Sequence, residues 1–592
     1  MNRRRPLIAA VAASTAIVLI ASCSSSSKKG GTSGTNPPPP SGSSSSSGGT
    51  PSTGPALIKD GFTQKGGTVN ILVQAAFEHL DPVQNFVTNS GDVGKLIYRT
   101  LTTFDDTPGK PPVIKADLAV KSGPGDYIGI PNKDQTVWTY KIQKGLKFQD
   151  GSAITAADIK YNVERLFAAD VYKDGATYLR DLLVNSNNYA GPYKDPNKDL
   201  TSVQTPDPYT LVFHFASGQP DADMMMSLFY TAPVPKAKDT KQDYDFKPVS
   251  SGPYMITKYT PNKELVLGRN PNWSAATDPN RPALPDSFDI TMGIAPATVS
   301  QRLIANQGSD QSALSIDNSS DIQPGDVSKL QGAKDRFVNG AGPCVFYNIF
   351  NENKIKDADV RHAFALALNR QAAITALNGP LFGSIPSSFM STSVRGFQPA
   401  NLGLKDTGDI PAAKALLQGK TYPHSITYGF SQGRPAQKAL ALQWQSDLKK
   451  LDVNVTIQSI PTDSFYKTLR TDPGPVDIAL AGWCWDWPTM ASIVPPVLGP
   501  DATQKTWSTS NFSKYFDSVT AKQITALAGS TEAPATVDQQ FATLANQIQT
   551  TNWPFVPTQA ALNPILVGSK IHNVGVSGIW SLPDLNIIGV EP

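Results

Sequence analysis

From residue 67 to the C-terminus, strand-type and helix-type hydrophobic periodicities follow one another without a break, and this alternation restricts the chain more than any other feature. It predicts an α/β architecture in which helices cover sheets. Residues 67–73 read as an opening strand, and residues 93–101 as a helix burying Leu96, Ile97 and Leu101. In residues 136–142, Trp138, Tyr140 and Ile142 alternate as in a half-buried strand. Thr155 and Asp158 have the spacing of a capping box before Ile159, Val163, Leu166 and Phe167. Residues 185–208, rich in Pro and Asn, read as a surface loop, and 210–215 as a strand. An alternating run follows at 255–267, then a helix over 357–376 capped by Asp359. A helix at 435–450 and a strand at 453–460 complete the clearest elements. With 592 residues the chain can build more than one core, and two or three domains are expected.

The N-terminal residues belong to none of these elements. Arg3, Arg4 and Arg5 precede an apolar run over 7–21, too short to span a bilayer comfortably, which takes roughly 20 apolar residues. Ile20, Ala21, Ser22 and Cys23 then resemble a bacterial lipobox, so residues 1–22 read as a lipoprotein signal peptide and Cys23 as the acylated residue. The arginine pair is also a weak hint of twin-arginine export. Residues 23–65 are Ser, Gly, Thr and Pro with almost no large apolar side chains, the composition of a disordered tether. The 52 basic residues, less the three arginines of the signal, equal the 49 acidic ones, so the mature chain is near neutral and lacks the footprint of a nucleic-acid binder. After Cys23 only Cys344 and Cys484 remain; in an oxidising compartment a disulfide and two separate buried thiols both stay open on this count.

Local enzyme signatures are missing: no G-x-S-x-G elbow, no H-E-x-x-H and no P-loop. His79, His214, His362, His424 and His572 are scattered without metal-ligand spacing, and no metal or cofactor is expected. The segment richest in chemistry is GWCWDWP at 482–488. If a strand runs through it, Trp483, Trp485 and Trp487 share one face, and Cys484 and Asp486 the other. That would make an aromatic wall beside a partly desolvated carboxylate suited to an ammonium group. The competing reading makes the tryptophans core and Asp486 a turn residue.

Four further blocks carry a resemblance. They are Leu80, Asp81 and Pro82 with LIYRTL at 96–101; WTYKIQKGLKFQDGSAITAADIKYNVERL at 138–166; SGPYMITKYTPNKELVLGRNPNW at 251–273; and VRHAFALALNRQAAI at 360–374. Together they are similar to the family 5 extracellular solute-binding proteins, the oligopeptide- and dipeptide-binding components of ABC importers. The resemblance implies a two-lobed periplasmic-binding-protein fold (type II, cluster C) with an extra subdomain inserted in lobe I. Lobe I would comprise 66–104, 249–342 and 563–592, the inserted subdomain 105–248, and lobe II 343–562. It also implies a binding protein and not an enzyme, with Asp486 gripping a peptide's α-amino group. Phe86, Val87 and Thr88 would form an extended segment hydrogen-bonding the ligand's main chain, with Gly482, Trp483 and Cys484 as the counterpart; the aromatic wall read above adds Trp485 and Trp487 to the residues expected around the ligand. Cys344 and Cys484 would pair as a disulfide. The implied partners are a small peptide or other solute and the subunits of a membrane permease, for a lipid-anchored monomer on the outer face of the bacterial cytoplasmic membrane. The short Asp-Trp-Pro spacing departs from the family pattern and leaves room for a glycoside, a metal chelate or a signalling peptide. A surface hydrolase or adhesin is the alternative from another class.

Overall fold

The computed structural model describes residues 57, 58 and 60–592, except 75, 107–109, 111, 318–321, 502 and 503. Cys23, the expected signal peptide and most of the expected tether lie outside the described residues. Local signals fix several elements as expected. Val137–Ile142 is a strand, with Trp138 and Tyr140 fully buried on one face. Helix Ala156–Arg165 starts with the capping box: the Asp158 carboxylate accepts from the Thr155 backbone N–H at 2.8 Å, and the reciprocal bond is present. Its Ile159 and Val163 are wholly buried, each burial contributing about 1.5–3 kcal/mol. Helix Pro435–Lys449 and strand Asn454–Ile460 also match the sequence reading.

Three sheets organise the molecule. The first orders Tyr254–Thr260, Glu264–Arg269, Ser287–Thr291, Thr68–Leu72 and Ala313–Ser315, antiparallel at one end and parallel at the other. Its core includes Val69, Ile71, Leu96, Phe288 and, from the C-terminal residues, Val574, Leu585 and Ile588. The second is antiparallel and built on Ala119–Val120, Val137–Ile142, Thr210–His214 and Val203–Asp207; its separate core joins Trp138, Tyr140, Ile159 and Phe213. The third orders Gly383–Ser384, Phe555–Leu566, Phe337–Phe350, Ile478–Cys484, Ser425–Ser431 and Asn454–Ile460, with a core on either face. No helix among the described residues is long and apolar enough to cross a membrane.

The long strands Phe337–Phe350 and Phe555–Leu566 belong to two bodies at once. Val338 and Ile565 enter the core of the first sheet, whereas Tyr347, Ile349 and Phe555 enter that of the third. Between these halves the pairing register shifts, from Ala341 opposite Leu562 to Val345 opposite Ala560. Such an irregularity bends and twists a strand pair locally.

Several expectations are corrected. The tether does not extend to residue 65: Leu57–Ile58 pair antiparallel with Val574–Gly575, and Phe62 stacks on the His572 ring at 4.2 Å. The first helix spans Thr88–Ile97 and not 93–101; Leu101 is buried but lies beyond it. The expected loop at 185–208 ends in the strand Val203–Asp207. The helix over 357–376 is two helices, Ala358–Ala367 and Arg370–Ala376. Asp357, not Asp359, caps the first, and Asn369 caps the second by accepting from the Ala372 N–H, so a second cap interrupts what the apolar period alone joins.

Candidate functional site

Strand Ile478–Cys484 is paired along its full length on one side, residue by residue from Ile478 opposite Phe350 to Cys484 opposite Cys344. On the other side Ser425–Ser431 pairs only with Ile478 and Ala479. Among the described residues, no strand pairs with that edge over 480–484. An unpaired edge of this length offers backbone donors and acceptors to another extended chain. Gly482 is required for a packing reason: a Cβ there would lie 2.4 Å from the Phe346 ring. Cys344 and Cys484 form a disulfide with Cα atoms 4.0 Å apart.

The strand ends at Cys484, so the alternation assumed for the three tryptophans does not continue and they do not form one wall. Trp485 is buried in the third sheet's core and donates to the Ser393 hydroxyl at 3.1 Å. Trp483 packs beside the same core and donates to the Ser492 carbonyl at 2.8 Å. Trp487 turns the opposite way and packs against the core of the antiparallel sheet, edge-on to Tyr178 with ring centroids 5.1 Å apart. The core reading therefore holds for Trp485, the expected aromatic wall is lost, and Trp487 joins two bodies.

Asp486, between Trp485 and Trp487, keeps part of its surface open to solvent. Desolvation by the surrounding protein pushes its carboxyl up to about 6, and a hydrogen bond from the Tyr178 phenol pulls the other way. Burial, then the Asp486 charge, in turn raises the Tyr178 phenol far above its ordinary value and keeps it a donor. A carboxylate has roughly four lone-pair sites, so the bond from Tyr178 leaves acceptor capacity for a cation. The nearby guanidinium of Arg395 is already shared between Asp538, at 2.5 Å, and Asp221, at 3.7 Å. Burial also pushes the Asp538 carboxyl up to about 6, against the opposing pull of Arg395. Asp221, Asp538 and Arg395 thus form a charge cluster of their own beside the turn. Among the described residues, no group of three or more His, Cys, Asp or Glu could hold a metal ion.

The segment expected to be extended at Phe86, Val87 and Thr88 is only partly so. Val87 has extended dihedrals and precedes the helix, whereas Thr88 is already its first residue. Phe86 is 36% exposed. The approach to it is fixed by the loop that leads into the short helix Tyr178–Leu182: Lys173 N–H donates to the Gln84 side chain at 3.2 Å, and Gly175, at φ +99, packs so closely that a Cβ would sit 2.4 Å from the Val83 carbonyl. Sequence reasoning missed Tyr178, Asp221, Arg395 and Asp538. Each lies far along the chain from residue 486 in an unremarkable local context, and no spacing signal marks them.

Comparison with known proteins adds independent findings. A sequence profile of the bacterial extracellular solute-binding proteins, family 5 Middle, matches residues 129–505. The periplasmic oligopeptide-binding protein OppA of Escherichia coli (strain K12) is 25% identical over 430 residues, 70% of this chain and 75% of its own length. The probable D,D-dipeptide-binding periplasmic protein DdpA of the same organism is 26% identical over 429 residues, 69% of this chain and 73% of its own. Among solved structures, the clavulanic acid biosynthesis oligopeptide binding protein 2 superposes with a TM-score of 0.79 at 26% identity, covering 92% of this chain and 100% of that one.

Proposed function

This chain belongs to family 5 of the bacterial extracellular solute-binding proteins, and from that premise we propose that it captures peptides for import by an ABC permease, receiving their free α-amino group at Asp486. Its family makes it a binding protein and not an enzyme. The observation that carries the ligand reading is the desolvated Asp486 carboxylate, on a partly exposed residue just beyond a strand whose edge over 480–484 lacks a strand partner among the described residues. An ammonium would bond the carboxylate while the peptide main chain extends along that edge, an arrangement tolerant of side-chain identity. The commitment of Arg395 to two aspartates leaves it unsuited to clamping a ligand carboxylate. The printed names of the relatives, an oligopeptide-binding and a D,D-dipeptide-binding protein, support the same ligand class.

Closure would bend the two shared strands at their register shift over 341–345, and the guest would favour the shut form by its differential contacts. The chain would act as a monomer held to the outer face of the cytoplasmic membrane by acylated Cys23; loss of incorporated lipid in Cys23→Ser tests that part. Calorimetry with trialanine and N-acetyl-trialanine tests the ligand reading. Acetylation and Asp486→Ala are each expected to cost about 2–5 kcal/mol, the range for removing one member of a desolvated charge pair. Equal binding of the free and acetylated peptides would overturn the ammonium role.

A further inference from the structure

Asp221 immediately precedes the short helix Ala222–Met225, where an aspartate ordinarily caps its own helix, yet its side chain makes no capping bond. The carboxylate is directed elsewhere. Oδ2 accepts from Trp487 Nε1 at 2.9 Å and from Thr489 Oγ1 at 2.7 Å, and Oδ1 lies 3.7 Å from an Arg395 Nη. These donors belong to the body built on the third sheet, whereas Asp221 belongs to the body of the antiparallel sheet. The carboxylate is only 11% exposed, so the bonds form largely out of water, where charge-assisted hydrogen bonds are strongest.

The turn around residues 487–490 is also braced from behind. Asp538 accepts from the Met490 N–H at 2.8 Å and from Arg395 Nε, and Arg395 N–H donates to the Pro488 carbonyl at 2.9 Å. In front, the Trp487 indole is seated in the apolar cluster of the antiparallel body, beside Tyr178. The turn is therefore rigid within its own body and fastened to the other by the Asp221 carboxylate, beside the packing of Trp487 on Tyr178 and the bond from Tyr178 to Asp486.

We propose that Asp221 is the clasp between the two bodies: it holds the turn that carries Asp486, and it makes the antiparallel subdomain the jaw that closes over the ligand. The effect on ligand rests on the peptide reading above; the clasp itself does not. Asp221 is a positioning residue, acting through Trp487 and Thr489 and not by touching the guest.

The test uses the full chain with a fluorophore pair on Lys198→Cys and Lys449→Cys, one exposed position on each body. Without ligand, Asp221→Ala is expected to lengthen the mean distance between the bodies, and in stopped flow to raise the dissociation rate of trialanine about tenfold while association changes less. Trp487→Phe and Thr489→Val, which remove the donors from the opposite side, should each reproduce part of the opening and add little in the Asp221→Ala background. They also serve as the test should Asp221→Ala fail to fold. Unchanged distances in these variants would overturn the clasp, as would donor and acceptor substitutions whose effects simply add. If trialanine does not bind the unaltered protein, the peptide reading fails, and the ligand-free distances still decide on the clasp.

Discussion

Cys344 lies directly opposite Cys484 in adjacent antiparallel strands, with Cα atoms 4.0 Å apart and the sulfurs bonded. The bond closes a loop of sequence separation 140 at the end of the strand that leads to Asp486. In the chain-entropy account a loop of that size is worth up to about 5 kcal/mol. Cys344→Ser with Cys484→Ser is expected to lower unfolding stability by about 2–5 kcal/mol in guanidinium titrations. Neither cysteine of the unaltered folded protein should take up a maleimide until reductant is added.

With the ammonium role proposed for it, the carboxyl of Asp486, pushed up to about 6 by desolvation, is expected to give ligand binding an acid limb. Only the ionised form pairs with an ammonium, so affinity for trialanine should be full above the raised pKa and fall about tenfold for each pH unit below it. The peptide amine loses its proton above about 8, giving a second, alkaline limb. In calorimetry across this range, Asp486→Asn should bind weakly and lose the acid limb.

Arg165 and Asp81 explain part of the sequence resemblance in physical terms. The guanidinium donates to both carboxylate oxygens, at 2.8 and 2.5 Å, with both side chains removed from solvent. Removing one partner would leave a buried, uncompensated charge, so Arg165→Ala is expected to cost about 3–5 kcal/mol, read as a lower melting temperature. Arg165→Ala with Asp81→Ala should cost less than the two single effects combined.

Asp92 is fully buried on helix Thr88–Ile97, 3.3 Å from Lys95 Nζ, and burial pushes its carboxyl up to about 7. The folded chain thus holds a proton that the unfolded chain releases near the ordinary carboxylate value. Stability from this group is gained as pH falls from about 7 toward 4, by up to about 4 kcal/mol, and lost as pH rises. Unfolding free energies measured across that interval should show this slope, and Asp92→Asn should flatten it.

The sequence was most legible where a local pattern and its structural cause coincide. The Thr155 and Asp158 capping box, the alternation through Trp138 and Tyr140, and the helix after Pro435 all stand as read. It misled where the cause is not local. Nothing in the order of residues 482–488 says that the strand stops at Cys484, because Trp487 is drawn away by packing against Tyr178 and by Asp221, both distant in sequence. Likewise the apolar period through 357–376 does not reveal the interruption at Asn369, whose side chain caps a new helix. The resemblance supplied the pairing of Cys344 with Cys484, which the cysteine count alone left open.

Phe62 and Asp60 hold the ring of His572, one by stacking and one by hydrogen bonding, just after Leu57–Ile58 join the strand Val574–Gly575. Force arriving from upstream residues would therefore enter the molecule as shear along this strand pair, with Val574 rooted in the first core. The load would be absorbed beside the C-terminus, leaving the turn that carries Asp486 outside its path.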